Sequence, residues 1–191
     1  MTTTGNDQDR NLPPIIGLWS PAPGCGKSTV AHFLGDLQPG YVRVGFADPL
    51  RRMVTELLSA AGYPWHAAHR YATWEKREPL LLLPGAPTAR DLLRKLGTEW
   101  GRDLIHPELW VEVWASKARS MGRVVADDVR FPNEAQKILS MGGEIWAVTR
   151  PGFSDDSGHR SEAGLGDVPI TRVIVNDGSL AELRQAVEVV G

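Results

Sequence analysis

The sequence is poor in cysteine and contains no long run of apolar residues. Its 191 residues include one cysteine, Cys25, which excludes an internal disulfide and favours a reducing, cytoplasmic setting. An apolar run such as the leucines at 80–83 is far too short to cross a bilayer. The polar residues at 1–12 lack the apolar segment of a signal peptide, and we expect them to form a disordered tail. We therefore expect a cytoplasmic protein without a membrane partner.

An excess of positive charge is also missing. The chain has 21 lysines and arginines against 23 aspartates and glutamates, which gives a formal net charge of −2. This balance argues against a nucleic acid as partner, because nucleic-acid-binding domains carry a broad basic surface. A small anionic ligand needs only a few clustered arginines. The length is typical of one domain, which we place at residues 13–191.

Short apolar runs alternate with segments of helical periodicity along the chain. The alternation predicts an α/β fold with three layers, in which helices cover both faces of a central, mostly parallel five-stranded sheet. A helix is predicted from Asp48, as its N-cap, to Gly62. The predicted strands lie at or within 13–20, 41–46, 122–131, 144–149 and 171–175.

Two segments of the sequence lack this regularity. Residues 63–88 show no clean period, and we predict an irregular or partly helical insertion that covers the substrate. Residues 151–168 form a polar loop, and we treat this loop as a candidate lid over a ligand site.

The stretch "SPAPGCGKST" at 20–29 has most of the pattern of a phosphate-binding loop (P-loop). The pattern G-x-x-x-x-G-K-[ST] wants a glycine where this chain has Pro21, but position 21 is only the entrance of the loop. Lys27 would reach the β- and γ-phosphates of a nucleotide, and Ser28 would bind Mg²⁺. The predicted ATP-binding residues of this loop are Gly24, Cys25, Gly26, Lys27, Ser28 and Thr29.

Two acids, Asp127 and Asp128, follow the apolar part of the strand predicted within 122–131. An acid at the end of a neighbouring strand completes a P-loop site by holding Mg²⁺ or its waters. Successive side chains of a strand point to opposite faces, so one of the two acids is expected to face the phosphates, and which one stays open. We take Asp128 as the candidate metal ligand and catalytic residue. Arg130, two residues past Asp128, is a candidate cation at the same strand end.

Several separated motifs make the sequence more specific than a P-loop alone. The segments "GCGKST", "FADPLR", "TARDLLRKLGTEWGRDLIHPELWV", "DDVRFPNEAQKILSMGGEIWAVTRPG", "HRSEAGL" and "VIVNDGSLAEL" follow one another in this order. Together they resemble the deoxynucleoside monophosphate kinases of tailed bacteriophages. The resemblance implies a nucleoside-monophosphate-kinase-like fold. It also implies transfer of the γ-phosphoryl group of ATP, with Mg²⁺, to a deoxynucleoside monophosphate (dNMP).

The resemblance also implies a binding site for the monophosphate. Trp110, or Trp100 as an alternative, would stack on the base. Glu134 would contact the substrate or hold Arg130. The candidate residues for dNMP binding are Arg51, Arg77, Arg90, Trp110, Asp128, Arg130 and Glu134.

The remaining candidates lie in the C-terminal third of the chain. Arg150 and Asn176 each end a predicted strand and are assigned to ATP. His159 and Glu162 match the family without an evident chemical role. The accepted bases and the formation of a homodimer are left open.

Two other functions are compatible with a P-loop. A related kinase would act on hydroxymethylated bases within phage DNA, although the charge balance of this chain argues against that substrate. A nucleotide-binding switch or ATPase would have no acceptor and no use for a cluster of arginines outside the loop.

Overall fold

A computed structural model describes residues 12–153 and 164–190 of the chain. The chain forms two compact units: the first consists of Met1–Arg43 and Met121–Gly191, and the second of Val44–Ser120. The predicted insertion at 63–88 falls within the second unit. Most of the tail expected at 1–12 lies outside the described residues.

Helices and strands alternate along the chain as the sequence predicts. The strands are β1 (Ile15–Trp19), β2 (Tyr41–Arg43), β3 (Arg123–Ala126), β4 (Glu144–Thr149) and β5 (Arg172–Val175). The helices are α1 (Lys27–Leu37), α2 (Asp48–Ala60), α3 (Trp65–Thr73), α4 (Ala89–Lys95), α5 (Leu109–Arg119), α6 (Pro132–Ser140) and α7 (Leu180–Val190), with a π-helix at Leu96–Ile105. No helix within residues 12–153 and 164–190 is long and apolar enough to span a membrane.

The first unit contains one parallel sheet of five strands in the order β2-β3-β1-β4-β5. This confirms the predicted five-stranded sheet. Strands β1 and β3 are neighbours, with Gly17 opposite Ala126. The loop after β1 and the turn after β3 therefore emerge at the same edge of the sheet, where ligands of parallel sheets bind.

Helices of the first unit cover both faces of its sheet. Ile16 and Leu18 of β1 belong to a buried cluster with Val30 of α1 and Leu183 of α7. Gly17 points to the other face, where a side chain in its place would meet Ile138 of α6. The alternation along one strand thus gives the predicted three layers.

The second unit is helical. Its core is formed by buried side chains of α2, of α3 and of the segment that leads into α4, with further leucines and two tyrosines packed around them. The buried residues are Val54, Leu58, Ala68, Ala72, Leu80 and Ala89. The predicted insertion at 63–88 is partly helical, as expected, because α3 occupies Trp65–Thr73.

Two predicted boundaries were wrong. The strand predicted at 41–46 ends at Arg43, and Val44 belongs to the second unit, where its carbonyl accepts a hydrogen bond from the indole of Trp114 at 2.9 Å. Helix α2 includes Asp48, and Ala47 flanks it. The carboxylate of Asp48 accepts a hydrogen bond from the N–H of Gly45 at 2.8 Å, a residue that precedes the helix, whereas an N-cap side chain accepts from N–H groups of the first turn.

The π-helix at Leu96–Ile105 was not predicted. The carbonyl of Gly97 accepts hydrogen bonds from the side chains of Arg102 and Trp110, both at 2.9 Å. Any side chain at Gly101 would overlap the indole of Trp110. The wide turn is thus held by two buried donors and by the absence of a side chain at Gly101.

Candidate active site

The loop between β1 and α1 has the shape of a phosphate cradle. Gly24 and Gly26 have φ angles of 85° and 105°, which only glycine adopts without strain. The ammonium group of Lys27 donates to the hydroxyl of Ser20 across the loop. Ser20 in turn donates to the carbonyl of Ala22 at 2.6 Å. Pro21 is exposed at the loop entrance, in agreement with a tolerated substitution there.

Cys25 contributes to this loop through its backbone alone. Its side chain is fully buried in the core of the first unit. Its carbonyl accepts a hydrogen bond from the side-chain amide of Asn176 at 2.9 Å. The predicted ATP contact of Cys25 is therefore restricted to its N–H group.

The P-loop helix is joined to the end of β3 through a hydrogen bond between Ser28 and Asp127. The Ser28 hydroxyl donates to the carboxylate of Asp127 at 2.7 Å, over a separation of 99 residues. The structure thus directs Asp127, and not the predicted Asp128, to Ser28. The physical reason is that β3 ends at Ala126 and both acids lie in the following turn, where strand alternation no longer applies.

Asp127 also forms an ion pair with Arg43 at the end of β2. The Nε atom of Arg43 lies 2.8 Å from Oδ1 of Asp127, whose side chain is 4% exposed. The contact is one of charge, since Oδ1 accepts no hydrogen bond from the described residues. A buried carboxylate is thus held by a hydroxyl on one oxygen and a guanidinium on the other.

The pair of Ser28 and Asp127 fits a magnesium ion. Hydroxyl and carboxylate oxygens are ligands that Mg²⁺ prefers, and buried Oδ1 has unused hydrogen-bonding capacity. The described residues contain no group of three or more His, Cys, Asp or Glu side chains suited to a metal. Such a group is not required, because Mg²⁺ in nucleotide sites completes its shell with waters and phosphate oxygens.

Glu134 holds the backbone in front of α6. Its carboxylate accepts hydrogen bonds from the N–H groups of Arg130 at 2.8 Å and Phe131 at 3.1 Å. The Glu134 side chain is buried, so the turn that carries Arg130 is fixed. Of the two roles predicted for Glu134, the geometry favours holding Arg130.

Arg150 lies after β4, close to the P-loop. Its guanidinium stacks on the ring of Phe153, 4.8 Å from the ring centroid. A side chain at Gly24 would come within 3.1 Å of the same ring. Arg150 and Phe153 are therefore beside the phosphate cradle, where a nucleotide contact for Arg150 is sterically reasonable.

The remaining arginine candidates belong to the second unit. Arg51, in the first turn of α2, forms an ion pair with Asp48 at 2.6 Å and is 18% exposed. The N–H of Arg90, at the start of α4, donates to the carbonyl of Lys76 at 2.8 Å. This bond ties the start of α4 to the segment that contains the exposed Arg77.

The structure separates the two tryptophans that were candidates for base stacking. Trp110 is 4% exposed, and its indole donates to Gly97, so the stacking prediction does not fit its position. Trp100 on the π-helix is 39% exposed, with its ring centroid 6.0 Å from that of Trp110. Of the two rings, that of Trp100 is the more exposed.

Two candidates and part of the candidate lid cannot be placed. His159 and Glu162 lie outside the described residues, as does the part of the lid at 154–163.

Comparison with known proteins places the chain in a family. The family model for deoxynucleotide monophosphate kinase matches residues 85–187, which is more than half of the chain. The chain belongs to this family. The match includes Arg90, both tryptophans of the π-helix region, the turn with Asp127, and Asn176.

Three relatives of this kinase are viral proteins. A protein of Acanthamoeba polyphaga mimivirus, provisionally named a deoxynucleotide monophosphate kinase, is 32% identical over 88% of this chain and 91% of its own length. The deoxynucleotide monophosphate kinases of Escherichia phage RB69 and Enterobacteria phage T4 are 32% and 33% identical over 52% and 50% of this chain. The matched parts cover 43% and 42% of those two phage proteins.

A solved structure gives a more distant likeness. A dephospho-CoA kinase from Campylobacter jejuni covers 93% of this chain and 95% of its own, with 12% identity and a TM-score of 0.40.

Sequence reasoning missed three residues of this kinase's donor region. Arg43 forms an ion pair with Asp127, and Ser20 accepts a hydrogen bond from Lys27. The ring of Phe153 lies 3.1 Å from the position that a Cβ atom of residue 24 would take. Arg43 could have been suspected because it is a charged residue at the end of a predicted strand. Ser20 and Phe153 gave no signal, since serine in a loop and an aromatic after "RPG" have many ordinary explanations.

Proposed function

We propose that this kinase transfers the γ-phosphoryl group of ATP to the 5′-phosphate of a dNMP, which yields a deoxynucleoside diphosphate and ADP. The observation that carries the proposal is the hydrogen bond between Ser28 and Asp127 at 2.7 Å. It joins a P-loop helix to a buried strand-end carboxylate, the combination that binds a nucleoside triphosphate with its metal. Membership of the family supplies the class of acceptor.

The chemical step needs little from the protein beyond positioning and charge. An oxygen of the dNMP phosphate forms a bond to the γ-phosphorus, and the bond from this phosphorus to the oxygen that links it to the β-phosphate breaks. ADP leaves with that electron pair. The acceptor phosphate is already an anion at neutral pH, so no general base is required. Cations that stabilise the developing charge supply most of the rate enhancement.

Within the first unit, Lys27 and Arg130 are the cations proposed for this role. Lys27 follows the cradle directly, and its contact with Ser20 keeps the ammonium group over the loop. Arg130 is carried by a turn whose N–H groups are bonded to buried Glu134. A fixed backbone reduces the reorganisation that the charge has to undergo in the reaction.

Ser28 and Asp127 are the residues proposed to hold Mg²⁺. Asp128, the metal ligand predicted from the sequence, is the neighbouring acid in the same turn. Bound there, the ion would neutralise charge on the β- and γ-phosphates. The contribution of the protein is the buried Asp127 carboxylate, whose orientation is fixed by Arg43 and Ser28. Thr29, Arg150 and the cradle N–H groups are proposed to contact ATP.

The acceptor is proposed to be bound by arginines of the second unit. Arg51 is oriented by its ion pair with Asp48. Arg77 and Arg90 are carried by segments joined through the bond from Arg90 to Lys76. Guanidinium groups bind phosphate oxygens in a bidentate manner, which suits a terminal monophosphate. Exposed Trp100 is proposed to face the base.

The test is transfer of radiolabelled phosphate from ATP to a panel of free dNMPs, with duplex DNA that contains hydroxymethylated bases as the alternative acceptor. The proposal expects label in deoxynucleoside diphosphates and none on DNA. Label found on DNA alone would contradict it and favour the DNA-directed kinase.

A further inference from the structure

Asn176, directly after β5, contacts the P-loop through its side chain. Its amide Nδ2 donates to the carbonyl of Cys25 at 2.9 Å, although the two residues are 151 positions apart. We propose that Asn176 is a positioning residue that holds the peptide between Cys25 and Gly26 in its phosphate-binding orientation, and that its effect is independent of the nucleobase. This inference rests on the proposed function, since it concerns the same cradle.

Peptide geometry links this bond to phosphate binding. In a trans peptide the carbonyl of one residue and the N–H of the next point in opposite directions. The trans geometry applies here because the described chain contains no cis peptide bond. When Asn176 holds the Cys25 carbonyl, the N–H of Gly26 is turned away from Asn176. With the N–H of Gly26 directed away from Asn176, it is available to phosphate oxygens, which the N–H groups of a P-loop bind.

The peptide between Cys25 and Gly26 needs a hydrogen bond to restrict its rotation. It lies between Gly24 and Gly26, whose φ angles are 85° and 105°, and glycines permit a peptide to rotate at little cost. Helix α1 starts after Gly26 without a side-chain cap and without an acidic residue in its first turn. The described contacts around the start of α1 therefore give the Asn176 amide an important part in fixing the loop.

Asn176 is itself well fixed. Its N–H donates to the carbonyl of Thr149 at the end of β4, at 2.8 Å. Its amide also fills the space beside Gly26, where a Cβ atom would come within 2.7 Å of Nδ2. The backbone of Asn176 is thus bonded to the end of β4, and its side chain is bonded to the P-loop.

The inference differs from a contact between Asn176 and adenine. A residue that recognises adenine affects ATP and leaves other phosphate ligands unchanged. A residue that fixes the cradle affects every ligand that uses the N–H of Gly26. Loss of one hydrogen bond is expected to weaken binding roughly 3- to 10-fold.

The experiment is calorimetric titration of the full chain with ATP, GTP and inorganic tripolyphosphate. The variants are Asn176→Ala and Asn176→Leu, which keeps roughly the size of the side chain, adds no charge and removes the donor. The control is Asp177→Ala at the exposed neighbouring position. The proposal expects similar losses of affinity for all three ligands in both Asn176 variants, and none in the control.

Three outcomes would overturn the inference: a loss confined to ATP, unchanged affinities in both Asn176 variants, or a wild-type protein that binds none of the three ligands. Thermal unfolding shows whether each variant is folded, and steady-state kinetics add a further readout. The KM for ATP should rise while the KM for dNMP stays constant, which a general loss of stability would not produce. If the wild type binds tripolyphosphate and the variants bind it less, but no dNMP is phosphorylated, the proposed function fails and the inference stands.

Discussion

The two units of this kinase hold their candidate residues in different ways. In the first unit, side chains far apart in sequence are bonded to each other: Ser28 to Asp127 across 99 positions, and Asn176 to Cys25 across 151. In the second unit, the described partners of candidate residues are nearer in the sequence: Asp48 is three positions from Arg51, and Gly97 is 13 positions from Trp110.

This difference has a physical consequence. The donor residues take their positions from the order of strands in the sheet, so that their geometry persists as long as the fold does. The arginines of the second unit lie at helix starts and turns. Such connecting segments vary in sequence with little effect on the rest of a fold. We expect substitutions in the first unit to affect every triphosphate, and those in the second to affect the acceptor.

The largest effect is expected for Lys27→Ala. Loss of the ammonium group at the cradle should lower kcat about 10²- to 10³-fold, because no other side chain of the loop offers a positive charge. Steady-state assays with ATP and dNMP measure the change. Lys95→Ala, at an exposed position of α4, is the control for charge removal. Rates of Lys27→Ala near those of wild type would refute the cradle.

Arg90→Ala tests whether the second unit serves the acceptor. The KM for dNMP should rise roughly 10- to 150-fold and the KM for ATP only slightly, since a hydrogen bond to a charged group contributes about 1.5–3 kcal/mol. Arg94→Ala is the matched control, because Arg94 is exposed on the same helix and pairs with Asp91 at 3.7 Å. Equal changes in both KM values would argue against a separate acceptor site.

Asp127→Asn and Asp128→Asn compare the two acids after β3. The Mg²⁺ concentration for half-maximal activity should rise roughly 10- to 100-fold for Asp127→Asn and much less for Asp128→Asn. The reason is the contact of Asp127 with Ser28 and its near-complete burial. Metal titrations at saturating ATP measure both variants. A larger shift for Asp128→Asn would restore the prediction made from sequence.

The smallest effect concerns the start of α4, which carries Arg90. The hydrogen bond from the Thr88 hydroxyl is the main cause that holds the pKa of Asp91 below its usual value of 3.8. Because the pKa is lower in the folded state, the stabilisation is present above that pH and is lost as the pH falls through the folded-state value.

Urea unfolding of wild type and Asp91→Asn measures this contribution. Wild type should be more stable by about 0.5–1 kcal/mol at pH 7, a modest value because the side chain is 43% exposed. The difference should shrink as the pH falls below 3.8, the usual pKa of the carboxyl group. A difference that persists unchanged in acid would show that the Asp91 carboxylate is not its source.

Much of the fold follows from the sequence because its signals are local. Apolar runs indicate the strands. The pattern Ser179-x-x-Glu182 is typical of a capping box, and the structure has both of its bonds: the N–H of Ser179 donates to the Glu182 carboxylate at 2.6 Å, and the N–H of Glu182 donates to the Ser179 hydroxyl at 3.3 Å. The P-loop was evident because its glycines and Lys27 are consecutive. In each case a few neighbouring residues determine the conformation.

The missed features depend on side-chain contacts that the sequence pattern does not encode. The π-helix depends on two side chains, those of Arg102 and Trp110, which both donate hydrogen bonds to the carbonyl of Gly97. Sequence periodicity does not predict such a shared acceptor. The choice of Asp127 over Asp128 depends on where β3 ends. The role of Asn176 depends on the neighbouring positions of β5 and the P-loop, which become visible only with the sheet in place.

The most direct test of the account is the stoichiometry of ADP and deoxynucleoside diphosphate formation, measured in the same reaction with and without dNMP. A kinase with a donor cradle and a separate acceptor site should form the two products in equal amounts and should release little ADP when dNMP is omitted. ADP release at the same rate without dNMP would contradict the account and identify the protein as an ATPase.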